Sequence, residues 1–405
     1  MTTKNNMPAG YKDSAVGIIP QEWEVKRLGL VCNFLDNQRV PIKDVDRLGM
    51  HGPYPYYGAS GIIDYVNDYI FDDELILLGE DGANIINRST PLAFMVEGKI
   101  WVNNHAHVLR PIEPNNRFYI CSYLESISYD KYNTGTAQPK LNREVCEKIL
   151  IPVPPMEEQR KIAEILGVWD EAIEKQSRLI EKLELRKRAL MQRLLTGRTR
   201  LPGFTTPWQK VKLGKIGKFD KGVGVPKEKI VSEGCKAITY GEIYTKYDYV
   251  IKDFASYIDS DTAQTSKQIS SGAILFAGSG ETLEDIGKCV VFIDNDKAYA
   301  GGDIIIFNPS IEVDSLVLSY ILNSPVAIAQ KRRYGQGHSV VHIYQKDLAR
   351  IEFELPSLPE QKSIAEVLTV ADKEIATHRK KLDALRLQKR GLMQQLLTGK
   401  TRVKI

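Results

Sequence analysis

Two long stretches of the chain, 155–200 and 357–405, have apolar residues at heptad spacing. Acidic residues stand at the start of each stretch, and a glycine, Gly197 or Gly399, follows the last apolar residue; these are start and stop signals of a helix. A seam sustained over several heptads predicts two long helices that pair as a coiled coil. We expect helix–helix and partner contacts at Ile162, Leu166, Trp169, Ile173, Leu183, Leu190 and Leu194 in the first helix, and at Ile364, Leu368, Ile375, Leu385, Leu392 and Leu396 in the second.

The two stretches are copies of each other. Glu158–Leu166 matches Glu360–Leu368 at an offset of 202 residues, and the match continues without a gap to Arg200 and Arg402. Lysine occupies the same interior position of the seam in both copies, at 187 and 389. A polar residue in a seam usually fixes register and partner choice at some cost in stability.

The segments in front of the long helices show short strand patterns and Gly-rich turns, which predict an α+β fold. They match each other only at sparse anchors, such as Trp23 with Trp208 at offset 185 and Leu77 with Leu275 at offset 198. We therefore predict one scaffold present twice with divergent globular parts. The predicted domains are 1–154, the long helix of 155–200, a second globular domain over 201–356, and the long helix of 357–405.

The order of these parts predicts the direction of the helices. One helix leads from the first globular domain to the second, and the other leads back. If a pseudo-twofold axis relates the halves, the two helices run antiparallel, and two copies of one partner can dock on equivalent surfaces.

Composition sets the class of protein. The 405 residues are 43% hydrophobic and 26% charged, which is typical of a soluble globular protein, and no apolar run approaches the length of a membrane span. The five cysteines never form a Cys-x-x-Cys pair, so we expect reduced thiols in the cytoplasm and no zinc site. The net charge of +4 is mild and by itself weak evidence for nucleic-acid binding.

Two stretches imitate enzyme motifs. Phe276–Glu281 is similar to the Gly-rich loop that holds S-adenosylmethionine in methyltransferases, but only a few residues follow before a strand resumes, too few for the helix that such a loop opens. Asp294–Lys297 hints at a nuclease carboxylate cluster, but it lacks further acids on one rigid edge. We therefore assign no catalytic residue, no metal ligand and no bound cofactor.

Polar loops are the stronger candidates for a binding site. They supply amide, hydroxyl and cationic groups of the kind that contact base edges and phosphates in DNA, although a solvated loop remains the alternative for any single residue. In the first half the candidates are Tyr54, Tyr56, Tyr57, Ser60, Asn84, Arg88, Asn103, Asn104, His105, Thr136, Gln138 and Lys140. In the second half they are Lys221, Lys227, Ser279, Glu281, Lys288, Gln336, His338, Ser339 and His342.

Three features together resemble a known family. Gly-Ile-Ile-Pro-x-x-Trp stands at 17–23, Glu-Gln-x-x-Ile-Ala at the start of each long helix, and Leu-Leu-Thr-Gly at each helix end. Over essentially its whole length the chain resembles the specificity (S) subunit of type I restriction–modification systems. The resemblance implies two target-recognition domains that each read one half of a bipartite sequence in double-stranded DNA, with the helices setting the spacing and docking the modification subunits.

The resemblance also implies where the chemistry takes place. It implies assembly with two modification subunits, which bind S-adenosylmethionine and methylate adenine N6, and with restriction subunits that use ATP. The chain itself is then a non-catalytic cytoplasmic protein. Two alternatives stay open: a self-contained DNA methyltransferase or nuclease that uses the loop at 276–281, and a purely structural coiled-coil adaptor.

Overall fold

The structure, a computed structural model, describes residues 7–337 and 340–405. It contains two compact units. Unit 1 consists of the chain up to Arg178 together with Lys380–Ile405, and unit 2 is Leu179–Arg379.

Unit 1 is a mixed α+β structure with short strands and helices. Its strands are β1 (Tyr11–Lys12), β2 (Ile19–Pro20), β3 (Glu24–Arg27), β4 (Cys32–Phe34), β5 (His51–Gly58), β6 (Gly61–Val66), β7 (Phe71–Asp72), β8 (Leu75–Gly79), β9 (Ala93–Val96), β10 (Lys99–Val102), β11 (Ala106–Pro111) and β12 (Leu150–Val153). Its short helices are α1 (Leu28–Val31), α2 (Asp44–Arg47), α3 (Asn84–Asn87), α4 (Arg117–Ser126) and α5 (Arg143–Glu147), and the long helix α6 (Met156–Leu194) begins in this unit.

Two four-stranded sheets form the globular part of unit 1. The central sheet has the order β4-β11-β8-β9 with antiparallel neighbours, and the second has the order β6-β5-β10-β7 with β5 and β10 parallel. All five residues of β8 are buried, because Ile76 and Leu78 pack into one hydrophobic cluster and Leu75 and Leu77 into another. Burial on both faces explains the unbroken apolar run of this strand.

Unit 2 is built from similar elements. Its strands are β13 (Gln209–Lys212), β14 (Gly217–Lys221), β15 (Ile230–Val231), β16 (Cys235–Ile238), β17 (Val250–Ile251), β18 (Ser256–Ile258), β19 (Lys267–Ile269), β20 (Ile274–Ala277), β21 (Ser279–Gly280), β22 (Cys289–Phe292), β23 (Ala298–Ala300), β24 (Ile304–Pro309), β25 (Val341–His342) and β26 (Glu352–Leu355). Its helices are α7 (Tyr240–Thr245), α8 (Ser260–Thr265), α9 (Ser315–Leu322), α10 (Pro325–Tyr334), α11 (Gln345–Leu348) and the long α12 (Leu358–Leu396), which ends in unit 1.

The two units share a topology. In unit 2 the order β14-β24-β20-β22 repeats the central sheet of unit 1, and β18-β16-β23-β19 repeats its second sheet, including the parallel pair of β16 and β23. The largest difference is the segment that contains α7 and β17: it connects β16 to β18, where unit 1 has only the tight turn between β5 and β6. The predicted α+β fold with an internal repeat is confirmed.

The long helices run antiparallel within each unit. In unit 1, Asp170 of α6 pairs with Lys389 of α12, and Glu158 pairs with Arg402, so rising numbers on one helix meet falling numbers on the other. In unit 2, Lys187 pairs with Asp372, and Glu184 pairs with Arg379. This arrangement confirms the predicted direction of the two helices and is consistent with a coiled coil.

The ends of the long helices belong to the globular cores. Ile162 and Leu166 of α6 join the core of unit 1, with Leu396 of α12, and Ile364 and Leu368 of α12 join the core of unit 2 with Leu194. Trp169, Ile173, Leu190, Leu385 and Leu392 are partly buried, whereas Leu183 and Ile375 are buried. Part of the seam predicted from the sequence therefore packs against a globular domain as well as against the other helix.

No helix in the described ranges is apolar over a length that would cross a lipid bilayer. This agrees with the hydrophobic pattern of the sequence, in which the two long helices carry regularly spaced charged residues.

Candidate nucleic-acid interface

Four loops of unit 1 meet at one end of its sheets. They are the turn between β5 and β6, the residues after β8, the β10–β11 loop and the Gly-rich loop of 132–141. The backbone N–H of Leu141 donates to the carbonyl oxygen of Glu80 at 2.7 Å, and Asp81 forms a β-bridge with Lys140. A Cβ at Gly79 would lie only 2.7 Å from the carbonyl oxygen of Ala59, so glycine permits the hairpin turn to approach this closely.

Charged side chains fill the centre of this loop cluster. Arg39 donates to the Glu80 carboxylate at 2.7 Å, and the ammonium group of Lys140 lies 3.3 Å from the same carboxylate. At the surface, Nδ1 of His105 lies 2.8 Å from the Asp81 carboxylate. The cluster therefore presents cations, carboxylates and an imidazole on loops that are held by backbone hydrogen bonds.

The structure separates the candidate residues of unit 1 into three groups. Those with exposed side chains at the loop cluster are Ser60, Asn104, His105, Thr136, Gln138 and Lys140. Tyr56 and Asn103 are buried: the Tyr56 hydroxyl accepts a hydrogen bond from the backbone N–H of Ile42 at 3.1 Å, and Asn103 Oδ1 accepts one from the His105 N–H at 2.8 Å. These two side chains support the loops from inside.

The remaining candidates of unit 1 are partly buried, and most already have protein partners. Asn84 holds its own loop, because its Oδ1 accepts from the Thr90 N–H at 2.9 Å. Arg88 forms an ion pair with Glu125 at 2.9 Å and lies over the Tyr129 ring. Tyr54 packs on Tyr69, at the opposite end of the β5–β6 hairpin from the turn, whereas Tyr57 lies nearer the turn, paired with Ile62.

Unit 2 has a smaller, less charged cluster at the matching place. Strand β21 after the central strand β20 pairs with β25 of the Gly-rich loop, and the Ser279 hydroxyl lies 3.0 Å from Nδ1 of His342. These two residues line a cavity of about 300 Å³ together with Lys221, Asp303 and Lys346. Gln336 lies beside it, bound to His342 through two backbone hydrogen bonds.

The other candidates of unit 2 are more dispersed. Lys288 donates to the Tyr244 carbonyl oxygen at 3.3 Å, and burial lowers the pKa of its ammonium group. Glu281 is exposed in the loop after β21, and Lys227 is exposed in a short 3₁₀ turn. His338 and Ser339 fall outside the residues that the structure describes.

Comparison with known proteins decides the family. A family model described as the type I restriction modification DNA specificity domain matches the chain twice, over residues 20–185 and 206–387, one match for each half. The chain belongs to the type I restriction–modification specificity (S) subunits.

Relatives that are named as type I specificity subunits match this chain over most of its length. A putative type I restriction enzyme specificity subunit of Haemophilus influenzae is 30% identical and covers 86% of this chain and 87% of its own. The MjaVIII specificity subunit of Methanocaldococcus jannaschii is 26% identical and covers 95% of this chain and 94% of its own. These lengths show that both halves of the duplication are common to the relatives.

Solved structures share the fold. The S subunit of a type I system from M. genitalium aligns with a TM-score of 0.59 at 15% identity, covering 98% of this chain and 99% of its own. A chain from a study of complex assembly and conformational transition of the type I system aligns with a TM-score of 0.55 at 18% identity, covering 95% and 99%.

The structure of the specificity subunit also shows the conformation of the two enzyme-like stretches, Phe276–Glu281 and Asp294–Lys297. Phe276–Ala277 ends β20 and Ser279–Gly280 forms β21, so the glycines lead into a strand and not into the helix N-terminus that cradles a phosphate. Asp294 and Asp296 both bind the ammonium group of Lys236, at 2.9 and 2.6 Å, which closes a turn. Within residues 7–337 and 340–405, no group of three or more His, Cys, Asp and Glu residues is placed to hold a metal ion.

Sequence reasoning missed several residues of the loop clusters. Arg39 and Glu80 in unit 1 and Lys346 in unit 2 line the clusters. Arg39 and Lys346 lie outside the Gly-rich stretches that marked other candidates, whereas Glu80 directly follows Gly79. Their positions follow from the sheet register, which sequence spacing alone does not give. The signal that could have found Glu80 is a charged residue directly after the fully buried strand β8.

Proposed function

We propose that this specificity subunit reads a bipartite sequence in double-stranded DNA, with the loop cluster of each unit contacting one half of the target. The observation that carries this proposal is the combination of a shared topology with different side chains at matching places. Glu80, His105 and Lys140 of unit 1 correspond to Gly278, Asp303 and His342 of unit 2. A scaffold used twice with different loop chemistry is suited to reading two different sequences.

The side chains present suit DNA contacts. Exposed lysines such as Lys140 and Lys221 supply phosphate contacts, while amide, hydroxyl and imidazole groups such as those of Gln138 and His105 can bond to base edges. Because the two clusters present different side chains at matching places, we expect the two half-sites to differ in sequence.

The reaction itself belongs to partner subunits in this proposal. Methylation of a base requires that the base leave the stack and enter a catalytic pocket. We propose that two modification subunits provide this pocket with S-adenosylmethionine, that restriction subunits use ATP, and that the long helices set the spacing and dock the modification subunits. The specificity subunit then acts in the cytoplasm, where these partners meet the DNA.

A labelling experiment tests the division of labour. The purified specificity subunit is mixed with DNA and radiolabelled S-adenosylmethionine, with and without its modification subunits. We expect methyl transfer only when the modification subunits are present, and mapping of the methylated adenines then gives one bipartite sequence. Methyl transfer by the specificity subunit alone would contradict the proposal and favour a self-contained methyltransferase.

Replacement of Lys221 by alanine tests the phosphate contact. Each lysine–phosphate contact contributes about one unit to the slope of log affinity against log salt concentration. We expect Lys221→Ala to reduce that slope by about one and to weaken binding about equally on DNAs with different second half-sites. The matched control is Lys215→Ala, which removes an exposed lysine near the opposite end of β14 and should leave the slope unchanged. Equal slopes for wild type and Lys221→Ala would remove Lys221 from the interface.

A further inference from the structure

A buried histidine lies beneath the loop cluster of unit 1. His107 belongs to β11 and is 1% exposed. Its Nδ1 lies 2.7 Å from the carboxylate of Asp36, and its Nε2 lies 2.8 Å from the carbonyl oxygen of Leu141. Asp36 belongs to the short turn after β4, and Leu141 ends the Gly-rich loop, so one ring connects two loops.

The two partners determine the charge of the ring. A backbone carbonyl can only accept a hydrogen bond, and the ionised carboxylate of Asp36 also only accepts. Asp36 is held in the ionised form by the Val108 N–H at 2.9 Å and by Arg39, whose guanidinium lies 3.7 Å away. Both ring nitrogens must then carry protons, which makes His107 an imidazolium.

The groups that face the ring from the surrounding elements agree with this assignment. They are Asp36, the Glu80 carboxylate at 3.8 Å, the thiol of Cys146 from α5 and the Phe34 ring from β4. Burial by itself lowers the pKa of His107, but the interactions of the ring with the Asp36 carboxylate and with Cys146 outweigh burial and raise the pKa to about 10. Burial likewise raises the pKa of Asp36, but the hydrogen bond and charge of His107 together with the Val108 N–H and the Arg39 charge outweigh it, so that the pKa lies below its usual value.

The ring is part of a network that reaches all the loops of the cluster except the hairpin turn. Arg39, three residues after Asp36, donates to Glu80 at 2.7 Å and to the Ala106 carbonyl oxygen at 2.7 Å. Glu80 accepts from Arg39 and faces Lys140. Loss of the charge on His107 would leave either the buried Asp36 carboxylate or the buried Leu141 carbonyl oxygen facing an unprotonated nitrogen, which destabilises the arrangement of these loops.

Unit 2 provides an internal comparison. Ile305 corresponds to His107 at offset 198 and Ile343 to Leu141 at offset 202, and both are buried in the hydrophobic core of unit 2. Gly278 stands in place of Glu80. At these positions unit 2 therefore has apolar packing in place of the charged network, with Ile305 where unit 1 has the buried imidazole of His107.

We infer that His107, as a buried imidazolium between Asp36 and Leu141, is a positioning residue that fixes the DNA-reading loops of unit 1 and thereby the discrimination of one half-site. The inference rests on the proposed function. In this inference, a buried side chain that does not touch DNA controls the sequence preference at one half of the target.

The charge state is measured on the wild-type chain, and one variant is used only to assign the signal. In the chain labelled with ¹⁵N-histidine, a two-bond ¹H–¹⁵N correlation spectrum reports the protons on each ring, and the loss of one signal in His107→Gln assigns it among the six histidines. We expect both nitrogens of His107 to be protonated at pH 8, well above the ordinary histidine pKa of about 6.5. A neutral ring with one bare nitrogen at pH 8 would overturn the inference.

The positioning role is tested in the complex of the chain with its modification subunits. The discrimination ratio of a half-site is the affinity for DNA with that half-site intact divided by the affinity for DNA with it replaced. We expect His107→Gln and His107→Leu to reduce the ratio at one half-site roughly tenfold, as expected for the loss of a buried charged hydrogen bond, and to leave the other half-site within about twofold.

Leu77→Ala is the matched control, because Leu77 is buried on the other face of the central sheet of unit 1, away from the network. This substitution lowers stability but should leave both discrimination ratios unchanged. The inference is overturned if the His107 variants keep the wild-type ratios or if Leu77→Ala reduces them as much. A wild-type complex without preference at either half-site would overturn the proposed function, and this inference with it.

Discussion

Replacement of Arg402 by alanine is expected to destabilise unit 1 by about 3 kcal/mol, because it leaves a buried carboxylate without its cation. Arg402 follows the end of α12, and its Nε and Nη2 lie 2.7 and 3.0 Å from the two carboxylate oxygens of Glu158 in the first turn of α6. The Glu158 side chain is fully buried and also accepts from the Trp23 indole N–H at 2.8 Å. The antiparallel helix ends are thus joined to the start of the globular domain.

This loss of unfolding free energy is measured by urea titration. Hydrogen exchange in peptides from the first turns of α6 reports the stability of unit 1. Lys400→Ala is the matched control, because Lys400 is exposed two residues earlier in the same tail. We expect Glu158→Gln combined with Arg402→Ala to be less damaging than Arg402→Ala alone, since the double variant removes the buried charge as well as its partner. Equal stabilities of Arg402→Ala and Lys400→Ala would show that the pair does not stabilise unit 1.

Replacement of Lys187 by alanine is expected to cost unit 2 about 3 kcal/mol, whereas Lys389→Ala should cost unit 1 at most about 1 kcal/mol. The two lysines occupy the same position in the duplicated helices, and each pairs with an aspartate of the other helix, Asp372 or Asp170. The Lys187 side chain is only 9% exposed and Asp372 is 22% exposed, whereas Asp170 is 45% exposed and therefore well solvated.

Aromatic neighbours strengthen this contrast. The ammonium group of Lys187 lies 4.4 Å from the ring centroid of Tyr249 and 5.4 Å from that of Tyr320, and the Tyr320 hydroxyl donates to Asp372. A cation over an aromatic face is stabilised further when it is desolvated. Tyr249 stands just before β17, in the segment that unit 1 lacks, so unit 1 has no equivalent of this contact.

The comparison is made by urea unfolding of both single variants, with hydrogen exchange reporting each unit separately. Lys187→Met with Asp372→Leu should recover much of the stability, because two well-packed apolar side chains can replace a buried ion pair. The account of this site is contradicted if the two alanine variants lose the same stability, or if the apolar double variant is less stable than Lys187→Ala.

The long helices could be predicted from the sequence because their signals are local. Heptad spacing, acidic first turns and the final glycines all lie within the segments themselves, and the structure places Gly197 and Gly399 at φ of 67° and 71° after the helix ends. The duplication then gave the antiparallel direction. The pairing of Arg402 with Glu158 could not be predicted, because these residues are 244 positions apart and meet only when both helices pack on the same domain.

The loop clusters were predicted less completely. The Gly-rich loops and the β10–β11 loop were found because glycine and polar residues mark them. The aromatic stretch around Tyr56 predicts a DNA contact, but the side chain is buried, because Arg47 of α2 covers its ring at 4.9 Å. Arg39 and His107 were missed because their role depends on which loops meet at the end of the sheets, and that is set by strand register.

The central claim is that each globular domain reads its own half of the target. The most direct measurement replaces the globular part of unit 2 with that of a relative, keeps both long helices, and maps the methylated adenines in cells that carry the modification subunits. The account predicts that one half of the methylated sequence changes and the other half stays the same. A change in both halves, or in neither, would contradict it.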